Sequence, residues 1–242
     1  MTDKQIEQLL MRRFTSAQSP VGRWKLQLYT QWKRWTWRCL LAGTQFVKRF
    51  FDVAVSGLVL ILLAPMFLLT ALLIKLEDGG PIFFAQTRVG KWGRQFKMYK
   101  FRSMCVDAEK KLATLLAQNQ HGQGITFKIK KDPRITRIGR WLRKFSIDEF
   151  PQFYNVFKGD MSLVGPRPPV PREVALYSMA DRRRLAVTPG LTCFWQIGGR
   201  ADIDFPQQVE LDVQYIESQS FWVDVKILLK TVPAVLTGRG AC

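Results

Sequence analysis

Residues 53–74, VAVSGLVLILLAPMFLLTALLI, form 22 consecutive uncharged positions bounded by Lys48 and Arg49 on one side and Lys75 on the other. This run constrains the fold more than any other feature, because so much continuous apolar surface has to be kept from water. As a helix rising about 1.5 Å per residue it is long enough for the ~30 Å hydrocarbon core of a bilayer. Pro65 stands near its middle, where a missing N–H and a bulky ring break or kink a helix. Cations flank both ends, so charge bias assigns neither end to the outside. Two readings fit: a kinked spanning helix, or a helix–break–helix hairpin that dips into the bilayer and returns to the same side.

The segment before it, residues 1–45, is basic and Trp-rich. Between residues 23 and 40, RWKLQLYTQWKRWTWRCL interleaves Trp24, Trp32, Trp35 and Trp37 with five basic residues. Indoles among cations suit a helix lying in a membrane interface, with its charges toward the headgroups. A disordered basic tail would not concentrate four Trp in this way. Over the whole chain 37 Lys+Arg face 19 Asp+Glu, a formal charge of +18. Such a balance points to a polyanion: nucleic acid, anionic lipid or a phosphorylated substrate. The four cysteines (Cys39, Cys105, Cys193, Cys242) form no CxxC pair and read as free thiols of a reducing compartment. His121 is the only histidine, which leaves little for a Ser/His/Asp triad or a zinc site.

Beyond residue 75 the pattern becomes globular, and residues 46–242 read as one domain. DGGP (78–81) is a turn signal. IFFAQTRVG and QFKMYKFRSM, separated by KWGR, predict a β-hairpin. Residues 105–118 read as helical, and HGQG then interrupts the chain. DPRITRIGRWLRKF predicts a basic amphipathic helix with Ile138, Trp141, Leu142 and Phe145 spaced along one face. The class expected is α+β: mostly helical, with a small hairpin and amphipathic helices beside the membrane segment.

Two adjacent carboxylates, Asp148 and Glu149, interrupt this basic sequence in SIDEFPQFYN (146–155). Ser146 and Glu149 have capping-box spacing, which would put both acids in a helix's first turn; a helix beginning at Asp148 accommodates Pro151 better. A well-capped helix is one explanation. The other is chemical, since such a place also collects phosphate, and paired carboxylates can supply a nucleophile and ligands for Mg²⁺. Nearby fragments suit the second. Arg143 and Lys144 precede the pair. In KGDMSLVGPRPP, Pro166 and Pro168 fix the backbone around Arg167, whose guanidinium suits a bidentate phosphate contact unless it merely pairs with Asp160. YKFRSM places Lys100 and Arg102 in alternation, as an anion-facing or simply a solvated strand face. TPGLTCFWQIGGR reads as a Gly-containing covering loop that ends in Arg200.

Taken in order, KRFFD (48–52), the apolar run with its central proline, DGGPIFFAQTRVG, FKMYKFRSM, SIDEFPQFYNVFKGDMSLVGPRP and PGLTCFWQIGGR resemble the bacterial sugar transferases, the monotopic phosphoglycosyl transferases. The resemblance spans about residues 46–242. It implies that residues 53–74 are a re-entrant membrane helix, with Lys48, Arg49 and Asp52 at the membrane edge and Asp52 paired to a basic residue. It also implies transfer of a hexose 1-phosphate from a UDP-sugar, glucose or galactose above all, to undecaprenyl phosphate, with release of UMP. Asp148 matches the nucleophile that forms an aspartyl phosphosugar; Glu149 assists, both carboxylates meet Mg²⁺, and Lys100, Arg102, Arg143, Arg167 and Arg200 hold phosphate. The setting implied is the cytoplasmic face of a bacterial inner membrane, with membrane lipids as partners, no nucleic acid, and a homodimer allowed. Relatives break the membrane helix at a Ser-Pro pair, where this chain has Ala64-Pro65. Larger members add N-terminal spanning helices and a further domain, so the expectation is a short form or catalytic portion. The alternative is a membrane-anchored nucleic-acid-binding or scaffold protein without catalysis.

Overall fold

The apolar run breaks next to its proline. In the computed structural model, which describes residues 3–108, 110–111, 132–198 and 203–236, helix α1 covers Asp3–Gln18, α2 Pro20–Leu62 and α3 Ala64–Asp78. Leu63, at φ −90° and ψ 0°, separates α2 from α3, and Pro65 occupies the first turn of α3. There its absent N–H falls among groups that lack an intrahelical partner anyway. The stretches Gly43–Leu62 and Ala64–Asp78 meet at a bend of 59°. Among the described residues no single helix is long and apolar enough to cross a membrane, whereas this bent pair meets the requirement by length and composition. Leu58, Ile61, Leu62, Leu68, Leu69, Leu72 and Leu76 are all exposed on it, a continuous apolar surface of the kind that marks an interaction with lipid or protein.

The chain divides into two compact units, residues 1–48 and 49–242. Within the first, Trp24, Trp32, Trp35 and Trp37 are exposed, and the Lys33 ammonium lies 5.3 Å from the centre of the Tyr29 ring. The segment is helical over Asp3–Gln18 and from Pro20 onward.

In the second unit, α3 ends at Gly79, whose left-handed φ of 69° lets its N–H return to Lys75 O. Strands β1 (Phe83–Val89) and β2 (Gln95–Phe101) pair antiparallel in the register Phe84↔Lys100, Gln86↔Met98 and Arg88↔Phe96, which is the hairpin expected. The helix predicted over 105–118 falls largely outside the described residues. Helix α4 (Arg137–Lys144) is capped by the Thr136 hydroxyl, which accepts the Gly139 N–H at 2.9 Å. Its expected apolar face divides. Leu142 is buried beside Ile138, while Trp141 and Phe145 stack on the exposed side, 5.7 Å between ring centres.

Next come a 3₁₀ turn at Ile147–Glu149, helix α5 (Gln152–Lys158) and strand β3 (Ser162–Val164). Helix α6 (Pro171–Ala175) and a second 3₁₀ stretch, Asp181–Ala186, lead to β4 (Gly190–Thr192), which runs parallel to β3. The chain continues through α7 (Phe194–Gly198), α8 (Phe205–Ser218) and α9 (Phe221–Leu236). Residues 190–198 are thus a strand and a helical turn, where the sequence suggested a covering loop. Phe96, Met98, Val156, Met161, Leu163, Val164, Tyr215 and Ile227 form the main core, each large side chain contributing roughly 1.5–3 kcal/mol by leaving water.

Candidate active site

The dyad is held by backbone geometry, and the expected capping box does not form. Ser146 adopts the left-handed conformation, φ 56° and ψ 21°, and its hydroxyl caps nothing. That conformation is uncommon for a residue with a Cβ, and here it turns the chain out of α4 into the 3₁₀ turn carrying Asp148 and Glu149. Pro151 then serves as the N-cap of α5, so the acids precede that helix and do not lie in its first turn.

Helix α5 is tied to other elements at its middle and at its C-terminal end. The side chain of buried Asn155 accepts the Tyr99 N–H at 3.0 Å and donates to Lys97 O at 2.7 Å, aligning α5 with β2 and Lys100 with Glu149. At the C-terminal end Arg49 donates to Val156 O at 2.6 Å and to Phe157 O at 2.7 Å, a cationic cap on carbonyls that lack helical partners. Three residues later in α2, buried Asp52 accepts the Leu163 N–H of β3 at 3.0 Å. This backbone bond joins α2 to β3. The KRFFD motif therefore fastens the apolar helix to α5 and β3, the two elements that follow the dyad. Lys48 ends the first unit.

Asp148 and Glu149 open into a cleft of about 1190 Å³, together with Lys100, Arg143, Arg167, Arg88 and Arg172. Lys100 Nζ lies 2.6 Å from Glu149 Oε1, and Arg167 Nη2 lies 3.6 Å from the same oxygen. Asp148 is buried, yet enters no ion pair or hydrogen bond among the described residues. Burial pushes its carboxyl above the ordinary 3.8; Lys100 opposes this and Glu149 reinforces it. Glu149 is also penalised by burial, but Lys100 and Arg167 outweigh the penalty and hold it at about 2. Adjacent carboxylates are thereby separated in character, as in sites where two acids divide acid, base and nucleophile roles. Glu149 is a neutralised anion, and Asp148 is the more basic oxygen donor and the better nucleophile. Cys193 is buried with its thiol pushed upward, which makes it inert.

Arg167 owes its place to two glycines. A Cβ on Gly190 would lie 2.0 Å from Gly165 N, and one on Gly165 would lie 2.6 Å from Thr188 O. The bare backbones cross there, Gly190 N–H donates to Pro166 O at 2.9 Å, and the Pro-Arg-Pro segment is carried to the cleft. Asp160 pairs with Lys158 at 3.1 Å, so Arg167 is not spent on that carboxylate.

Arg102 has a different position from the one its alternation with Lys100 suggested. Strand β2 stops at Phe101, and the Arg102 guanidinium, though on the cleft wall, forks onto Asp78 and donates through Nε to Pro81 O at 2.5 Å. It fastens the end of α3 to the end of β2. Arg143 lines the cleft and donates through Nε to Ser103 Oγ at 3.0 Å. Arg200 lies outside the described residues. Arg88 went unnoticed in the sequence. It lines the cleft, donates to Pro168 O at 2.9 Å and Gln86 Oε1 at 2.6 Å, and is lowered to about 10 by burial and by Arg167. Its signal was the period of two along β1, which puts Gln86 and Arg88 on the hairpin face of Lys100.

Among the described residues no group of three or more His, Cys, Asp or Glu gathers as a metal cage. The dyad offers two adjacent carboxylates, a donor set that suits Mg²⁺, which usually takes one or two protein carboxylates and completes its shell with water and substrate phosphates.

The sequence profile of the family described as Bacterial sugar transferase matches residues 43–238. The chain is 52% identical over 197 residues to the galactosyl transferase CpsE of Streptococcus agalactiae, covering 80% of this chain and 43% of that protein. It is 43% identical over 197 residues to the exopolysaccharide production protein ExoY of Sinorhizobium fredii, covering 80% and 87%. It is 42% identical over 202 residues to the undecaprenyl-phosphate galactose phosphotransferase of Salmonella typhimurium, covering 82% and 42%. The chain thus spans less than half the length of two of these relatives and most of the third.

Proposed function

Since the chain belongs to the bacterial sugar transferase family, we propose that it transfers a hexose 1-phosphate from a UDP-hexose to undecaprenyl phosphate at the cytoplasmic face of a bacterial inner membrane. The observation that carries this reading is the unequal dyad: Glu149 neutralised by Lys100 at 2.6 Å, and Asp148 beside it unpaired in a cation-lined cleft. An Asp148 carboxylate oxygen attacks the phosphorus that bears the sugar. The bond from that phosphorus to the bridging oxygen breaks, and UMP leaves with the oxygen and its electron pair. A phosphate oxygen of the lipid then attacks the aspartyl phosphosugar, restoring Asp148 and forming the lipid diphosphate sugar. Covalent capture lets two polyanions use one site in turn.

Lys100, Arg88, Arg143 and Arg167, which line the cleft, would stabilise charge on the phosphates. Mg²⁺ would be held by Asp148 and Glu149, and when bound it neutralises the diphosphate. The exposed apolar surface of the bent pair α2–α3 supports a re-entrant anchor, which keeps the cleft at the side where nucleotide sugars are made. Two of the relatives described above are named for galactose, which favours a hexose donor. The test is incubation of the purified protein with undecaprenyl phosphate, Mg²⁺ and a panel of UDP-sugars while UMP release is followed. UMP release with UDP-galactose or UDP-glucose is expected, and its absence with every donor overturns the reading.

A further inference from the structure

Residues 20–38 precede the stretch matched by the family profile, 43–238, and the chemistry proposed for the cleft does not use them. Ser19 starts α2: its Oγ accepts the Gly22 N–H at 3.0 Å, and Pro20 takes the first helical position. The helix sorts the four indoles that the sequence interleaves with cations. Val21, Trp24, Leu28, Trp32 and Trp35 follow one another in steps of three and four, so at about 100° per residue they fall within an arc of about 80°. These five side chains are 45% to 64% exposed. Lys25 and Arg34 border the stripe on its two sides. Trp37 is as exposed, at 61%, but lies on the opposite side of the helix with Arg23 and Lys33. Between Glu7 and Asp52 the sequence has no acid and nine Lys or Arg.

We propose that this stripe is a docking surface for an anionic bilayer. The helix lies in the plane of the headgroups, with Val21, Trp24, Leu28, Trp32 and Trp35 turned into the acyl boundary. Indoles suit that depth, being apolar in the ring and polar at the N–H. The flanking cations reach the lipid phosphates, and those on the far side count as well. A helix is about 10–12 Å across, close to the ~8–10 Å over which salt screens charge. A second copy of the chain is the poorer occupant. It would bring cations against cations with no acid to answer them. A helix–helix seam also takes Leu, Ile or Val at such positions, where this stripe has three indoles. The result is an attachment that reads headgroup charge, which the uncharged run 53–74 cannot do. It is independent of the transferase reading, since none of these residues lines the cleft.

The test places the photoreactive residue p-benzoylphenylalanine at Trp32, or at Trp37, in the full-length protein. Each form is irradiated in nanodiscs containing phosphatidylglycerol and in discs of phosphatidylcholine alone. Lipid adducts at position 32 should exceed those at position 37 by roughly fivefold or more, and should be fewer in phosphatidylcholine. Equal labelling at the two positions, no lipid adduct at 32, or a cross-linked dimer through 32 in its place overturns the proposal. Hydrogen exchange of peptides covering residues 21–35 gives an independent measure. Exchange should be about threefold slower or more in the phosphatidylglycerol discs, and Lys25→Gln with Arg34→Gln should remove most of that difference. Trp24→Gln, Trp32→Gln and Trp35→Gln together should abolish the protection, whereas Trp37→Gln should leave it intact. Equal exchange in the two kinds of disc, or protection lost as fully with Trp37→Gln, overturns the docking surface. UMP release from UDP-sugar and undecaprenyl phosphate in the same discs judges the transferase reading separately.

Discussion

Lys100 Nζ stands 2.6 Å from Glu149 Oε1, joining the end of the hairpin's second strand to the carboxylate next to Asp148. This bond keeps Glu149 ionised against its burial. Lys100→Met should leave Glu149 with the more distant Arg167 as its main counter-charge. A hydrogen bond to a charged group is worth about 1.5–3 kcal/mol, so kcat/KM for UMP release should fall roughly ten- to a hundredfold. Its acid limb should move to higher pH, because Glu149 then protonates more readily. Steady-state kinetics across pH check both effects.

Asp148→Asn retains the shape of the side chain and removes the proposed nucleophile. UMP release should be abolished while the melting temperature and membrane association stay near wild type. Mass spectrometry after incubation with UDP-sugar should find a phosphosugar adduct on the wild-type peptide containing residue 148 and none on the variant. Substantial turnover by Asp148→Asn would remove the covalent mechanism.

Arg49 closes the C-terminal end of α5 through two backbone carbonyls. Arg49→Met should destabilise the protein by about 1.5–3 kcal/mol, read as a melting temperature lower by roughly 2–4 °C per kcal/mol for a chain of this size. Arg49→Lys should recover only part of the loss, since an ammonium does not reproduce the fork. Differential scanning in detergent micelles makes the comparison.

Pro65 has no N–H for the carbonyl of Ile61, and its ring crowds that carbonyl. Pro65→Leu should let α2 and α3 join into one apolar helix over residues 53–74, about 33 Å long and sufficient to span. The variant should shift toward a spanning topology. Accessibility of a cysteine engineered at position 5, probed with a membrane-impermeant thiol reagent from the periplasmic side, distinguishes the two. Periplasmic labelling of the unaltered anchor would overturn re-entrance.

The acid limit of stability has identifiable sources. Arg102 holds the Asp78 carboxyl below its ordinary 3.8, and Arg134 does the same for Asp132. For such lowered groups the stabilisation is complete above 3.8 and is lost as pH falls through the folded-state values. Asp148, raised by burial, works in the opposite sense. Urea midpoints measured from about pH 5 to about pH 2 should therefore fall, and the fall should be shallower in Asp78→Asn and Asp132→Asn.

Much of this was readable in the sequence, for local reasons. The hairpin follows from alternation around a Gly-containing turn, the break from a proline, and the dyad from two acids in a basic neighbourhood. What was misread depends on contacts between distant residues. Arg102 continues the strand pattern on paper, but the strand stops one residue earlier and Asp78 takes the guanidinium. Ser146 has the spacing of a cap, yet its positive φ turns the hydroxyl away from that role. The carbonyl partners of Arg49 lie 107 and 108 residues further along the chain, beyond the reach of any local pattern. The crossing of Gly165 and Gly190 leaves no pattern at all, since each glycine is explained only by the other's backbone.

The bond from Asp52 to Leu163 N–H has a consequence for engineering. A water-soluble form is usually sought by cutting an anchor away, and here the cut would pass through the catalytic fold. Removing residues 49–56 strips a buried N–H of its acceptor and α5 of its cap, so the truncated protein would be damaged where the chemistry occurs. Solubilisation by design has to keep the inward side of this helix, Arg49, Asp52, Val55 and Ser56, and repaint only its outward side. Leu58, Ile61, Leu62, Leu68, Leu69, Leu72 and Leu76 are the positions to make polar, because they are exposed and none of them lines the cleft.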